Sequence, residues 1–459
     1  MTDLAVGGLE PLVPDLPMVE REPFVPAGFV AAGMPAGIKA SGRPDLALIA
    51  STVGPVPAAA VFTPNPIASA PVRWSRARLP ESADAGGGRC GLATAVVSTS
   101  GSANAATGAA GDADQAVIAQ GVARTLGVDV GTVLCLSTGI IGIRLPVLKV
   151  VAGIEALAPS LAAEPASLEA AARALMTTDS RPKIATATVD LGDPDGHEAR
   201  AVRVTGIAKG VGMIHPRMAT MLAILLTDAA VEPQTLASIL RSAAARTWDQ
   251  LTIDRDTSTN DTVFLLASGA GGGRPIVAGS VDAADLESAI TVVARDLARQ
   301  QAADGEGATT LITCQVSGAT DDADARAVAR EVVASSLVKA AVHGRDPNWG
   351  RIAAAAGNAR LADREVLRAA GLSAAEAAAR GGTAAALEPD RLRIAIAGHP
   401  VFDGSTGGPM PFDRDAARAA MEAPEVLIRV DLGLGGGTGE GFGCDLTEAY
   451  VVENSEYTT

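Results

Sequence analysis

The string KGVGMIHPRMATMLAILLTDA sets a threonine, Thr220, between a polar glycine-bearing loop and an apolar run from Met221 to Leu226. A hydroxyl is thereby delivered to the first position of what reads as a buried strand. If the Ala219–Thr220 bond breaks, the new N-terminus carries an amine and a hydroxyl on one residue. An α-amine titrates near about pH 7.7–8, so it can serve as general base for its own Oγ. A β-branched residue opening a strand is commonplace, so the local chemistry permits cleavage without establishing it. Of the neighbouring polar groups, His215 reads as a structural partner in the loop before this bond. Asp254 reads as a loop or helix-end carboxylate, and Asp346 to Trp349 as a rigid turn that supports packing.

The elements that must hold this threonine alternate along the chain. Short apolar runs closed by Gly, Pro, Asn or Asp read as strands: AAAVFTP, LATAVVST, VLCLSTGIIG, ATATVDL and ARAVRVTGIAKG. Helical patterns fall at 113–126 and 164–177, where alanine and glutamate are strong formers. After the strand at 220–227, Glu232 and Pro233 open a helix through PQTLASILRSAAARTWDQ. TVFLLAS and TTLITCQVSG read as strands, 282–303 and 321–342 as helices, with a helical patch near 372–380. The end reads as strand-rich through LRIAIAG, VLIRVDLGLGGG and FGCDLTEAYVVENSEYTT. Residues 1–24, rich in Pro and Glu, read as a loose extension. Alternating strands and helices imply layered α/β architecture, with strand order left open.

Composition excludes several classes. At 459 residues the chain exceeds one ordinary core. A formal charge of −15 and the lack of a basic, aromatic-interleaved patch argue against nucleic acid. Four scattered cysteines, Cys90, Cys135, Cys314 and Cys444, read as reduced thiols of a cytoplasmic protein. Four histidines without paired spacing make a metal site unexpected. No signal peptide or membrane span is evident. Neither GxGxxG opening a βαβ unit nor GxxxxGK[ST] occurs, which argues against dinucleotide and P-loop folds. GLGGGTGEGFG at 433–443 lacks the lysine and following helix of a phosphate loop, and reads as a tight structural crossing.

Nine islands in order carry a resemblance to a known family: AAGMPAGIKASGRPDLALI at 31–49, SANAATG at 102–108, STGIIG at 137–142, MTTD at 176–179, KGVGMIHPRMATML at 209–222, STNDT at 258–262, EGATT at 306–310, GRDPNWGRI at 344–352, and CDLTEAYV with the terminal YTT. The chain resembles the ArgJ family, glutamate N-acetyltransferases also called ornithine acetyltransferases. The resemblance implies a layered αββα-type sandwich of the DmpA/ArgJ-like kind, with a smaller C-terminal α+β region. It implies a precursor that cleaves itself between Ala219 and Thr220, leaving chains 1–219 and 220–459 together as a heterotetramer of two copies of each. Thr220 is then the nucleophile. Thr138 and Gly139 match the oxyanion-hole pair, where donors act on charge that appears only as the tetrahedral intermediate forms. Thr177, Lys209, Glu306, Asn454 and Thr459 match substrate-binding positions, with Thr178 adjacent to Thr177 and the register uncertain by one. A lysine suits a bound carboxylate and a glutamate suits an ammonium. Asn454 and Thr459 imply that the chain end folds into the site.

The implied reaction takes acetyl from N2-acetyl-L-ornithine onto Thr220 and passes it to L-glutamate, without metal or cofactor; acetyl-CoA as a second donor is left open. Departures from the family's pattern are Thr99 and Ser102, where it has asparagines, Arg217, also usually asparagine, and Arg255, usually small. They keep the nucleophile and its glycines but bear on specificity. The rivals are a monofunctional ornithine acetyltransferase of an arginine-linked secondary pathway, a self-processing amidase or aminopeptidase, and an inactive structural homologue.

Overall fold

A computed structural model describes residues 18–82, 88–192, 200–215 and 221–455. At its centre lies a seven-stranded sheet in the order Val19–Glu20, Lys183–Leu191, Arg200–Lys209, Leu222–Thr227, Thr262–Ala267, Val56–Phe62, Arg89–Ala93. Leu222–Thr227 is wholly buried, as its unbroken apolar run requires. Its alternate residues serve two cores. Leu222, Ile224 and Leu226 enter one with Phe264, Leu266, Ile49 and Leu134. Ala223 and Leu225 face the other, with Leu236, Leu240, Ile290 and Leu297 of the helices Pro233–Arg246 and Val281–Ala303.

The second sheet has the order Phe29–Met34, Leu46–Ser51, Ala95–Ser102, Val133–Ile140. Its inner face supplies Ile49, Val96, Leu134 and Leu136 to the core shared with the first sheet. Its outer face, with Leu46, Leu48, Val97 and Val133, packs on Ile118, Val122, Val150 and Ile154 of the helices Gly108–Leu126 and Val147–Leu157. Helix, sheet, sheet and helix thus stack as the sandwich that the resemblance implies.

Residues 311–444 add a six-stranded sheet with its own core, in which Ile312, Val316, Val328, Val332, Ile394, Ile428 and Val430 meet. The glycine run ends here as the strand Gly437–Cys444. A Cβ on Gly437, Gly439 or Gly441 would lie 2.1, 2.6 or 2.7 Å from backbone of residues 321–329. Those glycines let the helix Asp322–Ala334 lie directly on the strand, which is the tight crossing expected of them.

Three expectations are corrected. Residues 18–24 are docked: Val19 and Glu20 pair with Ala187 and Thr186, Arg21 bonds Asp296, and Arg203 lies over the Phe24 ring. The described part of the 1–24 extension is therefore an edge strand with anchors; polar composition hid pairing that a strand edge supplies. The pattern at 321–342 forms two helices, Asp322–Ala334 and Ser336–His343, because Ser335 adopts extended backbone and caps the second through Val338 N. After the strand Gly437–Cys444 the end turns helical over Glu448–Ser455, although valine and tyrosine there suggested a strand. No described helix is long and apolar enough to cross a membrane.

Candidate active site

The sheet registers bring one set of strand ends together. Leu222 lies beside Lys209 in the antiparallel ladder and beside Thr262 in the parallel one. In the second sheet Gly101 lies beside Gly139. Between these ends is a cavity of about 120 Å³ lined by Thr138, Gly139, Thr177, Thr178, Lys209, Met221, Asp261, Glu306 and Asn454, among others. Six of the residues expected at the site, Thr138, Gly139, Thr177, Lys209, Glu306 and Asn454, therefore converge on one space. Ala219, Thr220, Thr459 and Arg217 lie outside the described residues. Met221, the next residue after Thr220, is in the cavity wall.

A buried cation lines the cavity. Lys209 ends its strand 8 % exposed, and its Nζ donates to Thr138 Oγ1 at 3.1 Å. An ammonium only donates, so Thr138 Oγ accepts there and its own proton is free for a second acceptor. Burial pushes the Lys209 pKa down, and Asp179 partly offsets this. Asp179 in turn receives Lys183 Nζ at 2.6 Å, Gly210 N at 2.9 Å and Thr177 N at 3.0 Å. Burial raises its pKa, but the charges of Lys209 and Lys183 and these bonds hold it below the ordinary value. Lys183 also bonds Asp304 at 2.5 Å, so the base beneath Lys209 is a closed network.

The cavity wall also carries an anion. Glu306 accepts from Thr178 Oγ1 and Asn454 Nδ2, both at 2.9 Å. Thr178 thus makes the carboxylate contact, while Thr177 lines the cavity with its backbone fixed by Asp179. A Cβ at Gly212 would stand 2.2 Å from Glu306 Oε2, so a larger residue there would push that carboxylate aside. Gly139 has φ +128°, and a Cβ there would lie 2.4 Å from Gly101 C. Its backbone is held at the cavity edge by that close approach.

The segment 258–261 supplies wall residues that sequence reasoning used only as a resemblance. Asn260 Nδ2 donates to Ala103 O at 2.6 Å and Ser137 O at 2.7 Å, which locks the strand end carrying Thr138. Asp261 is 2 % exposed; Ser258 and Thr63 hydrogen-bond its carboxyl, while its Oδ2 has no hydrogen-bond partner among the described residues. A signal was available: STND stands directly before the apolar strand TVFLLA, as AT stands before MLAILL, and parallel neighbours open at one sheet edge. Asp254 holds the loop after Lys209, accepting from Met213 N at 2.5 Å and Ile214 N at 2.8 Å. His215 Nδ1 lies 3.0 Å from Thr252 Oγ1; both keep the structural roles expected of them.

The departures from the family pattern are also placed. Thr99 Oγ1 donates to Ser137 Oγ at 3.0 Å and Ser102 Oγ to Ile143 O at 2.6 Å, so both brace the strand ends. Arg255, at φ +69°, bonds Ala334 O at 2.9 Å and pairs with Glu331, away from the cavity. Among the described residues no group of His, Cys, Asp and Glu is placed to hold a metal ion.

The layered αββα protein thus carries a small cavity with the Lys209 ammonium and the Glu306 carboxylate both in its wall. The model of the ArgJ family matches residues 30–459, and the chain belongs to that family. The arginine biosynthesis bifunctional protein ArgJ of Thermosynechococcus vestitus is 43 % identical over 450 residues, 94 % of this chain and 96 % of that protein. The protein of the same name from Thermus thermophilus is 41 % identical over 435 residues, 95 % of this chain and 99 % of its own length. Among solved structures, the arginine biosynthesis bifunctional protein ArgJ of Bacillus halodurans shares 36 % identity, covering 51 % of this chain and 99 % of that chain with a TM-score of 0.44. Ornithine acetyltransferase of Mycobacterium tuberculosis, complexed with ornithine, shares 39 % identity over 44 % of this chain and 99 % of its own, with a TM-score of 0.37.

Proposed function

We propose that this chain is an acetyltransferase of arginine biosynthesis that moves acetyl from N2-acetyl-L-ornithine to L-glutamate through an ester on Thr220. The observation that carries the reading is one cavity lined by the bonded pairs Lys209–Thr138 and Glu306–Asn454, with Met221 also in its wall. Family membership and the curated relatives' role in arginine biosynthesis support it.

In the precursor, Thr220 Oγ attacks the Ala219 carbonyl, the peptide becomes an ester, and water hydrolyses it. The freed amine then takes the Oγ proton as Oγ attacks the acetyl carbonyl. The Thr138 hydroxyl, relieved of accepting duty elsewhere by Lys209, and the Gly139 N–H donate to the oxyanion, where one donor contributes roughly 2.7–4 kcal/mol. The C–N bond breaks, ornithine leaves with the proton, and the glutamate amine attacks the acetyl ester. In this reading Lys209 meets a substrate carboxylate and Glu306 an ammonium, groups common to ornithine and glutamate. Thr177 and the chain end, Asn454 and Thr459, complete this binding set.

The two chains stay together as a heterotetramer in the cytoplasm, and acetyl-CoA serves as a second donor, in keeping with the word bifunctional in the relatives' names. The test is transfer from each donor to glutamate, with a mass gain of about 42 Da on the 220–459 chain after N-acetylornithine alone. Acetate as the main product in the presence of glutamate would favour an amidase. No acyl-enzyme with either donor would leave an inactive homologue.

A further inference from the structure

One buried carboxylate outside the cavity lining ties two members of that binding set together. Asp179 is 2 % exposed, and its two oxygens serve different segments. Oδ1 accepts from the N–H of Gly210, the residue after Lys209, at 2.9 Å, and Oδ2 from the N–H of Thr177 at 3.0 Å. Thr177 stands in the loop after the helix Pro165–Leu175, whereas Lys209 ends the strand Arg200–Lys209. Gln301 Nε2 holds the Lys209 carbonyl at 2.9 Å, so the backbone on both sides of the lysine is fixed. Asp179 is itself anchored. Lys183, fully buried, donates to Asp179 Oδ1 at 2.6 Å and to Asp304 Oδ2 at 2.5 Å, and Ser180 N donates to the same Asp304 oxygen at 3.0 Å. A buried ammonium between two carboxylates is poor value as a source of stability; what it secures here is the place of Asp179.

The same carboxylate acts on the charge of Lys209. Burial pushes that ammonium toward its neutral form; Asp179 is the strongest of the groups that oppose this, ahead of Glu306 and Asp261, while Lys183 works against them. Lys39, in the loop after the strand Phe29–Met34, also faces the group. Its Nζ donates to Pro44 O and Met176 O, and burial brings its pKa down to about 8. Without Asp179, the remaining neighbours of Lys209 would include Lys183 with one of its two counter-charges gone.

We propose that Asp179 is the positioning residue of the substrate-binding set, fixing Thr177 and Lys209 relative to each other through the backbone N–H groups of Thr177 and Gly210. Its negative charge also favours the ammonium form of Lys209 that a substrate carboxylate requires. The inference rests on the reading above of Lys209 and Thr177 as substrate-binding residues. A neutral side chain of the same shape cannot replace it. An asparagine has one accepting oxygen, so its amide turns a donor either toward Thr177 N or toward Gly210 N and Lys183.

The experiment compares wild type, Asp179→Asn, Asp304→Asn and Lys209→Met by KM and kcat for N2-acetyl-L-ornithine across pH. D179N is expected to raise KM about 10-fold or more, the scale of one lost hydrogen bond to a charged group, with a smaller change in kcat. The rise of its KM at alkaline pH begins about one pH unit lower than in wild type, because losing an opposite charge lowers an ammonium pKa. The substrate's own groups titrate alike with every variant, so a displaced limb belongs to the protein. D304N also takes a carboxylate from Lys183 and lowers the melting temperature, but Asp304 bonds neither Thr177 nor Gly210, and its limb stays in place. A folded D179N with the wild-type KM and limb overturns the proposal. So does a D304N whose limb moves as far as that of D179N, since the effect would then belong to any break in the ion cluster. If D179N does not fold, hydrogen exchange of the wild-type protein carries the test. The Thr177 and Gly210 amides are expected to exchange slowly without substrate, and free exchange at either overturns the proposal. K209M is expected to show a raised KM without the alkaline limb. A K209M with the wild-type KM and limb removes the binding-set reading itself, an outcome distinct from an unaffected D179N beside an impaired K209M.

Discussion

The seam between the sandwich and the C-terminal sheet handles buried charge differently from the cavity. At the seam, Arg295 holds Glu440 with two bonds at 2.6 and 2.7 Å. Arg299 holds Glu425 at 2.8 and 2.7 Å, with Thr313 Oγ1 adding a bond at 2.6 Å. Every carboxylate oxygen there is spent on a fixed fork, which is what a joint between rigid bodies needs. In the cavity, among the described residues, Lys209 has one side-chain bond, to a threonine hydroxyl, and Asp261 keeps one oxygen without any. Charge saturated inside the protein fixes structure; charge left with spare bonding capacity is available to a ligand or a reacting atom.

The comparison can be broken most decisively at Thr220. T220A is expected to run as one intact band on a denaturing gel with no transfer activity, against two near half-size bands for wild type. A cleaved, active T220A would dissolve the distinction. Next in size is G139A, whose Cβ cannot fit against Gly101. Loss of oxyanion geometry lowers kcat about 10²–10³-fold with a smaller change in KM, read by steady-state kinetics. K209M removes the ammonium from the cavity wall. A lost charged hydrogen bond of about 1.5–3 kcal/mol raises KM for glutamate roughly 10–100-fold.

At the seam the expectation reverses. R295M strands the Glu440 carboxylate and lowers stability by about 2 kcal/mol, less than a fully buried pair loses because the arginine is partly exposed. Denaturant unfolding should show this with KM unchanged; a KM effect would mean the seam and cavity are coupled. The smallest effect separates the two kinds of charge by pH. In the uncut T220A chain, Asp261 has a raised pKa, so the stability tied to its neutral form is full below the unfolded value of about 3.9. It is lost as pH rises through the higher folded value. D261N in that background should therefore gain melting temperature over its parent as pH climbs from about 4, and show no gain at lower pH. Equal shifts at all pH values would contradict the raised pKa that burial gives Asp261.

Much of this was legible along the chain. Leu222–Thr227, Thr262–Ala267 and the helix Val281–Ala303 follow from apolar runs and period, as local patterns should. The six converging residues were readable because their motifs carry the resemblance. Asp261 was not picked out, since an aspartate before a strand is ordinary until burial and a missing partner set it apart. The terminal helix Glu448–Ser455 was misread because β-branched valines favour strands only where a neighbouring strand can pair with them; here Tyr450 N bonds Thr447 Oγ1 and Asn454 Nδ2 bonds Tyr450 O, while Asn454 reaches Glu306.

The amino-acid order alone determined which segments bury both faces, where glycine is required for backbone contact, and that a hydroxyl opens a central strand. Those are properties of residue type and spacing over a few turns. Folding alone decided that the ends of strands from two sheets meet, so that Lys209, Thr138, Glu306 and Asp261, far apart along the chain, share a cavity of about 120 Å³. Parallel and antiparallel registers are set by pairing between distant segments, and a charge's bonding capacity depends on who stands beside it after collapse. No local stretch of chain contains that information.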